Sequence, residues 1–163
     1  MSNKDSFIYD TIKNAIEAAD VAIIVIDAVG SAADLTKNKS YRCVIENAPE
    51  NGREFPLKES HGNVKSFSSS IESHLMIGKR TPRDADKSGI IRAELGDLDE
   101  ALTLKFMSLG QTFQDFTTAS GNYRIMIKSI GVTGTPYVPS LTDVNNFIFV
   151  FSLNVDYTWQ KIN

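Results

Sequence analysis

"NNFIFVFSLNVDYTWQ", residues Asn145–Gln160, is the stretch that decides the fold. Phe147, Phe149, Phe151, Leu153, Val155, Tyr157 and Trp159 fall at strict period two. Successive strand side chains point to opposite faces, so this spacing puts them all on one face of a long β-strand. The intervening positions start apolar, at Ile148 and Val150, and turn polar at Ser152, Asn154, Asp156 and Thr158. The expectation is a strand buried on both faces at its start and wet on one face at its end.

Two other segments share that period. In Val64–Gly78, Ile71, Ser73, Leu75 and Ile77 fall on one face, and Glu72, His74 and Met76 on the other. In Tyr123–Ile130, Tyr123, Ile125 and Ile127 alternate with Arg124, Met126 and Lys128. Tyr41–Glu46 reads as a short strand, followed by turn chemistry at Pro49 and Asn51-Gly52. "REFPLKE", from Arg53, reads as a short edge strand, because Pro56 has no N–H to donate. Val21–Val29 is rich in β-branched residues and apolar on both faces, which predicts a central or well-covered strand.

Helical spacing appears twice. Phe7, Ile8, Ile12, Ala15, Ile16 and Ala19 recur at steps of three and four, predicting a helix over 6–19, capped by Asp5 or Ser6. Ile91, Leu95, Leu98, Leu102, Phe106 and Leu109 do the same. Gly96 costs about 1 kcal/mol relative to Ala inside a helix, which moves the expected start toward Asp97. Gly110 is the expected end, with a short turn through Phe113 and Phe116. The fold class is therefore α+β: a mostly antiparallel β-sheet packed with an N-terminal helix and one long amphipathic helix. A single domain over 1–163 is expected, with long loops at about 30–40, 47–63, 79–89 and 131–145.

Composition narrows the function. The 163 residues carry a net charge of −3, with 42% hydrophobic and 23% charged residues, which suits an ordinary globular chain. No dense basic block is present; in "GKRTPRDADK" Asp84 and Asp86 interrupt the cations, so a duplex-binding patch is not expected. Cys43 is the only cysteine, which excludes an internal disulfide and a four-thiolate zinc site. No spacing of His61, His74 and the carboxylates suggests a metal site, so no metal or cofactor is expected. The N-terminus lacks the apolar core of a signal peptide, and Val21–Ile26 is too short to span a bilayer, which predicts a reducing, soluble compartment.

"NAIEAADVAIIVIDAVG", Asn14–Gly30, resembles the helix-to-strand handover of a GTPase. The chemistry of that family does not follow. The phosphate-cradling Gly-x-x-x-x-Gly-Lys-Ser/Thr pattern is absent, since Gly78-Lys79 is followed by Arg80. Asn38-Lys39 has Tyr41 where a guanine-reading Asp belongs. Glu59 with His61, and Glu72 with His74, are candidate carboxylate–imidazole pairs, and Glu72 and His74 share a strand face. A half-exposed surface pair is the plainer reading. Cys43 is either a nucleophile or a buried small hydrophobe, the latter being preferred. "DLDE", Asp97–Glu100, is either a cation chelate or an acidic first helical turn that complements the helix dipole, again the latter. The Phe-rich C-terminal strand is either a cavity wall or core.

The order of elements resembles the tail-terminator and head–tail joining proteins of tailed bacteriophages. The likeness is carried by "SSIESHLMIGKR", "GDLDEALTLKFMSLG" and "NYRIMIKSI" with "NNFIFVFSLNVDYTWQ". It implies a non-enzymatic virion protein, assembled in the host cytoplasm as a homo-oligomeric ring, a hexamer in tail terminators. Its partners would be tail-tube, sheath or connector proteins, with DNA passing through the ring and no sequence-specific contact. Mild negative charge around a DNA conduit suits sliding. Ring contacts are expected to be heterologous, closing by rotation, and to lie on sheet edges and on loops 30–40 and 79–89. The alternatives are a small soluble α+β binding or adaptor module and, third, a small enzyme using Cys43, His74 or Glu72.

Overall fold

The computed structural model describes residues 3–26, 35, 39–56, 66–80, 87–133 and 146–162. Among them are two helices, α1 (Asn3–Glu17) and α2 (Lys87–Ser108), and six strands: β1 (Ile23–Val25), β2 (Tyr41–Asn47), β3 (Ser66–Arg80), β4 (Thr112–Thr118), β5 (Gly121–Val132) and β6 (Asn146–Lys161). One mixed sheet holds all the strands in the order β1-β2-β3-β6-β5-β4. The β1·β2 pairing is parallel and the others are antiparallel. The fold is α+β.

The period-two strand is the centre of the molecule. β6 pairs with β3 from Ser66↔Gln160 to Arg80↔Asn146 and with β5 on its other side. Phe149, Phe151, Leu153, Val155 and Tyr157 are all buried on its core face. Ile71, Leu75 and Ile77 of β3 and Ile125 and Ile127 of β5 join them in one hydrophobic cluster. Ser73, buried among these apolar residues, donates its hydroxyl proton to the Asn47 side chain, so its polar group is satisfied. On the second face of β6, Ile148 and Val150 are half-buried, so the strand is not sealed on both faces at its start. The side chains of Ile91 and Phe147 lie outside the described set.

Helix α1 buries Phe7, Ile8, Ile12, Ala15 and Ile16, the stripe its spacing predicts, and packs on β1, β2 and α2. It starts at Asn3, three residues before the expected Ser6. Helix α2 buries Leu98 and Leu102, with Leu95 and Phe106 partly buried against the same cluster.

Several expectations are corrected. Helix α2 begins at Lys87, not near Asp97, and runs through Gly96. Gly96 is exposed and a Cβ there would meet nothing within 4 Å, so its only cost is conformational and the added turns outweigh it. Phe113 and Phe116 lie in an edge strand, β4, and not in a turn. The expected strand over 21–29 is the three-residue β1 at the opposite edge, with Ile24 55% exposed; 27–30 lie outside the described residues. "REFP" contributes one isolated bridge, Glu54↔Ser68, in a strap that continues β2 along β3. In β5 an irregularity between Ile127 and Ser129 shifts the alternation, so Ile130 pairs with Val155 on the core face. Of the loops expected at about 30–40, 47–63, 79–89 and 131–145, residues 30–34, 36–38, 57–63, 81–86 and 134–145 lie outside the described residues; of the rest, Asn47 ends β2, 48–56 form the strap, 79–80 belong to β3, 87–89 to α2 and 131–132 to β5.

Candidate functional site

The sheet separates the residues that sequence reading singled out. Cys43 sits on the core face of β2, fully buried, and its thiol donates to the Val44 carbonyl at 3.7 Å. Burial pushes its thiol pKa far up, so it carries no thiolate character at neutral pH. His74 sits on the opposite face of β3, beside Glu46 of β2 and Ser152 of β6. Its Nδ1 lies 3.1 Å from the Ser152 hydroxyl and its Nε2 3.8 Å from the Glu72 carboxylate. Glu72 and His74 share a face, as their spacing predicts, but Cys43 cannot meet them through the sheet. Asp97, Asp99 and Glu100 lie in the middle of α2, not in its first turn, so the dipole reading of "DLDE" is corrected. Glu59 and His61 lie outside the described residues. No group of three His, Cys, Asp or Glu side chains among the described residues is placed to hold a metal ion.

Gly78 and Lys79 are part of β3. Lys79 Nζ donates to Glu94 Oε1 of α2 at 2.6 Å and lies 4.6 Å from the Tyr41 ring centroid. The Tyr41 hydroxyl donates to the other oxygen of Glu94 at 2.5 Å. Burial and this acceptor raise the Tyr41 pKa well above the ordinary phenol value. Glu94 thus ties α2 to the sheet, and Lys79 is a structural cation.

A second carboxylate works the same way. Glu50, in the strap after β2, accepts from Lys4 at the start of α1 and from Arg53 Nε at 2.7 Å. Burial alone would raise the Glu50 carboxyl; the hydrogen bonds from Arg53 and Lys4 outweigh it and hold the pKa down at about 2. The Tyr157 hydroxyl is enclosed beside Lys4, Ser69 and Glu50, yet makes no hydrogen bond of normal geometry. A third carboxylate, Asp115 of β4, is held in a two-point grip by Arg124 of β5 at 2.7 and 3.1 Å. That guanidinium also lies 4.3 Å from the Phe113 ring centroid.

The core face carries an aromatic row across the sheet. Phe55 meets Phe67 at 5.7 Å between centroids, Phe67 stacks on Trp159 at 5.5 Å, Trp159 meets Tyr123 at 5.2 Å, and Tyr123 stacks on Phe116 at 5.5 Å. Cross-strand pairing brings the rings together: Phe67↔Trp159 and Phe116↔Tyr123 are register partners, and Tyr123 lies diagonal to Trp159, which pairs with Ile125. The inner rings turn their faces to one another, so the row is a packing device first and offers few free faces to a flat ligand.

The two sheet edges are treated differently. In β1, the outward N–H of Val25 meets the Glu17 carboxylate at 3.4 Å, while Ile26 N–H turns inward to the Cys43 carbonyl at 2.9 Å. A charged side chain folded over three residues of strand is an ordinary way to blunt an edge. Among the described residues no side chain folds over the outward backbone of β4, and its one charge, Asp115, is gripped by Arg124. "TFQDFTT" contains no Lys, Pro or Gly, pairs only with β5 among the described residues, and exposes five of its seven positions. Phe113 is 50% exposed, and Leu104 and Met107 on the preceding helix are exposed as well. Sequence reading missed this strand; the Ser120-Gly121 turn signal and its Thr and Phe content were the available clues.

No family model matches the chain, and no curated protein matches it. No described helix is long and apolar enough to cross a membrane.

Proposed function

We propose that this protein is a non-enzymatic structural component that works as a homo-oligomer, a tail-terminator or head–tail joining ring protein of a tailed-phage virion. The observation that carries the oligomeric part is the β4 edge, a β-prone strand that among the described residues lacks the side-chain cover that β1 has. The phage part rests on the order of elements, in which a long strand, a helix and closing antiparallel strands follow an N-terminal helix. The pairing of Glu50, Glu94 and Asp115 with structural cations also favours a scaffold, because each of these carboxylates holds two segments of the fold together. Tail-tube, sheath or connector proteins are the proposed neighbours, and the DNA path is proposed to lie within the ring.

The test is size-exclusion chromatography with light scattering, followed by negative-stain microscopy, on the full chain alone and mixed with any tail-tube, sheath or connector proteins found encoded in its genomic neighbourhood. A closed ring is expected in at least one condition. A protein that stays monomeric at high concentration and with those partners present would sink the reading. A small binding or adaptor module is the second reading; the aromatic row, with Phe55 63% exposed at its end, is what favours it.

A further inference from the structure

We infer that the open edge of β4 is a self-association seam: two copies of this chain pair antiparallel through Thr112–Phe116, with Gln114 on the two-fold axis. The inference rests on the edge itself and not on the phage assignment. An unpaired strand of good β-formers is a template for another strand, and a soluble protein either blunts it or covers it. Glu17 performs the blunting at β1, and among the described residues no side chain does the same at β4. The strand sure to be present at equal concentration is its own copy.

Charge and pleat select the register. A two-fold axis normal to the sheet keeps the core faces of both copies on one side, so directly opposed residues must come from the same face. The same-face sets of β4 are Thr112, Gln114, Phe116 and Thr118 on the core side and Phe113, Asp115 and Thr117 on the other. Centring the axis on Asp115 would set two carboxylates directly opposite, which is unfavourable. Centring it on Gln114 sets each Asp115 opposite the partner's Phe113, whose ring carries the partner's Arg124. Each carboxylate, already gripped by its own Arg124, then faces a second guanidinium, and charges alternate in sign across the seam. On the core face the partner's Thr112 comes against Phe116, where the aromatic row ends. The contact is isologous, so any ring built with it has paired tiers and is not a single head-to-tail ring.

The test uses the full chain with single substitutions at exposed positions. Gln114→Cys is expected to give a covalent dimer with a short bis-maleimide, because the two copies of residue 114 face each other; Cys43 is buried and silent. Thr118→Cys is the register control: its two copies would lie about 27 Å apart at ~3.4 Å per residue and should not link. Gln114→Lys and Gln114→Glu should each weaken dimerisation about five-fold, the effect of opposed like charges, and mixing the two variants should restore it. Circular dichroism checks that each variant is folded. Equal linking at 114 and 118, or no linking at 114 and no rescue on mixing, overturns the seam. A ring in which residue 114 stays unlinked would refute the seam but leave the functional proposal standing. A linked dimer that forms nothing larger would do the reverse.

Discussion

Glu50→Gln tests whether the strap after β2 is held electrostatically. The carboxylate is 15% exposed and accepts from Lys4 and Arg53, which anchor it to the start of α1 and to the Phe67 ring. Its fall from the ordinary 4.5 to about 2 corresponds to roughly 3 kcal/mol of preference for the ionised form in the folded chain. Arg53 is 49% exposed, so solvent screens its share, and about 1–2 kcal/mol is the expected contribution at neutral pH. The sign follows from linkage. A carboxyl whose folded pKa is depressed adds stability that is complete above its unfolded value, near 4.5, and is lost as the pH falls toward 2. Urea unfolding of wild type and Glu50→Gln should therefore differ by about 1–2 kcal/mol at pH 7 and at pH 5.5, by less at pH 3.5, and by almost nothing at pH 2. Lys4→Met in the same background isolates the α1 share through a double-mutant cycle. A difference that is the same at pH 7 and pH 2, or one below about 0.3 kcal/mol at pH 7, would refute the reasoning.

Four further outcomes follow from single positions. Gly96→Ala should stabilise the protein by about 0.5–1 kcal/mol in urea unfolding, since the site is helical, exposed and open to a Cβ. Gly121→Ala should destabilise it by about 1–3 kcal/mol in the same assay, because φ is 124° there, in a region that L side chains rarely adopt. Cys43 should resist a thiol reagent in the native protein and react fully in denaturant; fast native labelling would contradict its burial. Glu17→Ala should uncover the β1 edge and add concentration-dependent association in sedimentation velocity, while Glu17→Gln, which keeps an acceptor, should not.

The parts of the fold that were legible in sequence are those buried on one side only. Phe149 to Tyr157 and Ile71 to Ile77 alternate because one face of each strand meets the core and the other meets solvent. Phe7 to Ile16 show the helical counterpart. β4 was illegible because neither of its faces is well buried, so no period develops, and Phe113 and Phe116 at a spacing of three imitate a helical turn. β1 misled in the opposite way. An apolar run reports burial and not rank within the sheet, and Ile23 and Val25 are buried although β1 is an edge. Of the candidate site, the shared face of Glu72 and His74 followed from counting residues. The partnerships of Glu50, Glu94 and Glu17 did not, because each joins segments whose approach is set by packing and not by spacing.

The contrast between the two edges constrains how copies can assemble. A single head-to-tail ring made by continuing the sheet would have to join β4 of one copy to β1 of the next. Among the described residues β1 offers three, its outward Val25 N–H is already engaged by Glu17, and forming the joint would strip that carboxylate of its partner. Pairing β4 with β4 meets no such cost among the described residues and matches five residues of each strand, Thr112–Phe116. A larger closed assembly then needs a second contact elsewhere on the surface. The exposed Leu104 and Met107 of α2 lie on the other arm of the helix–strand corner that leads into β4, and apolar side chains held out from a helix are suited to that second contact. The assembly logic thus divides into backbone pairing at the edge, which sets register, and side-chain packing at the helix, which sets the angle between pairs.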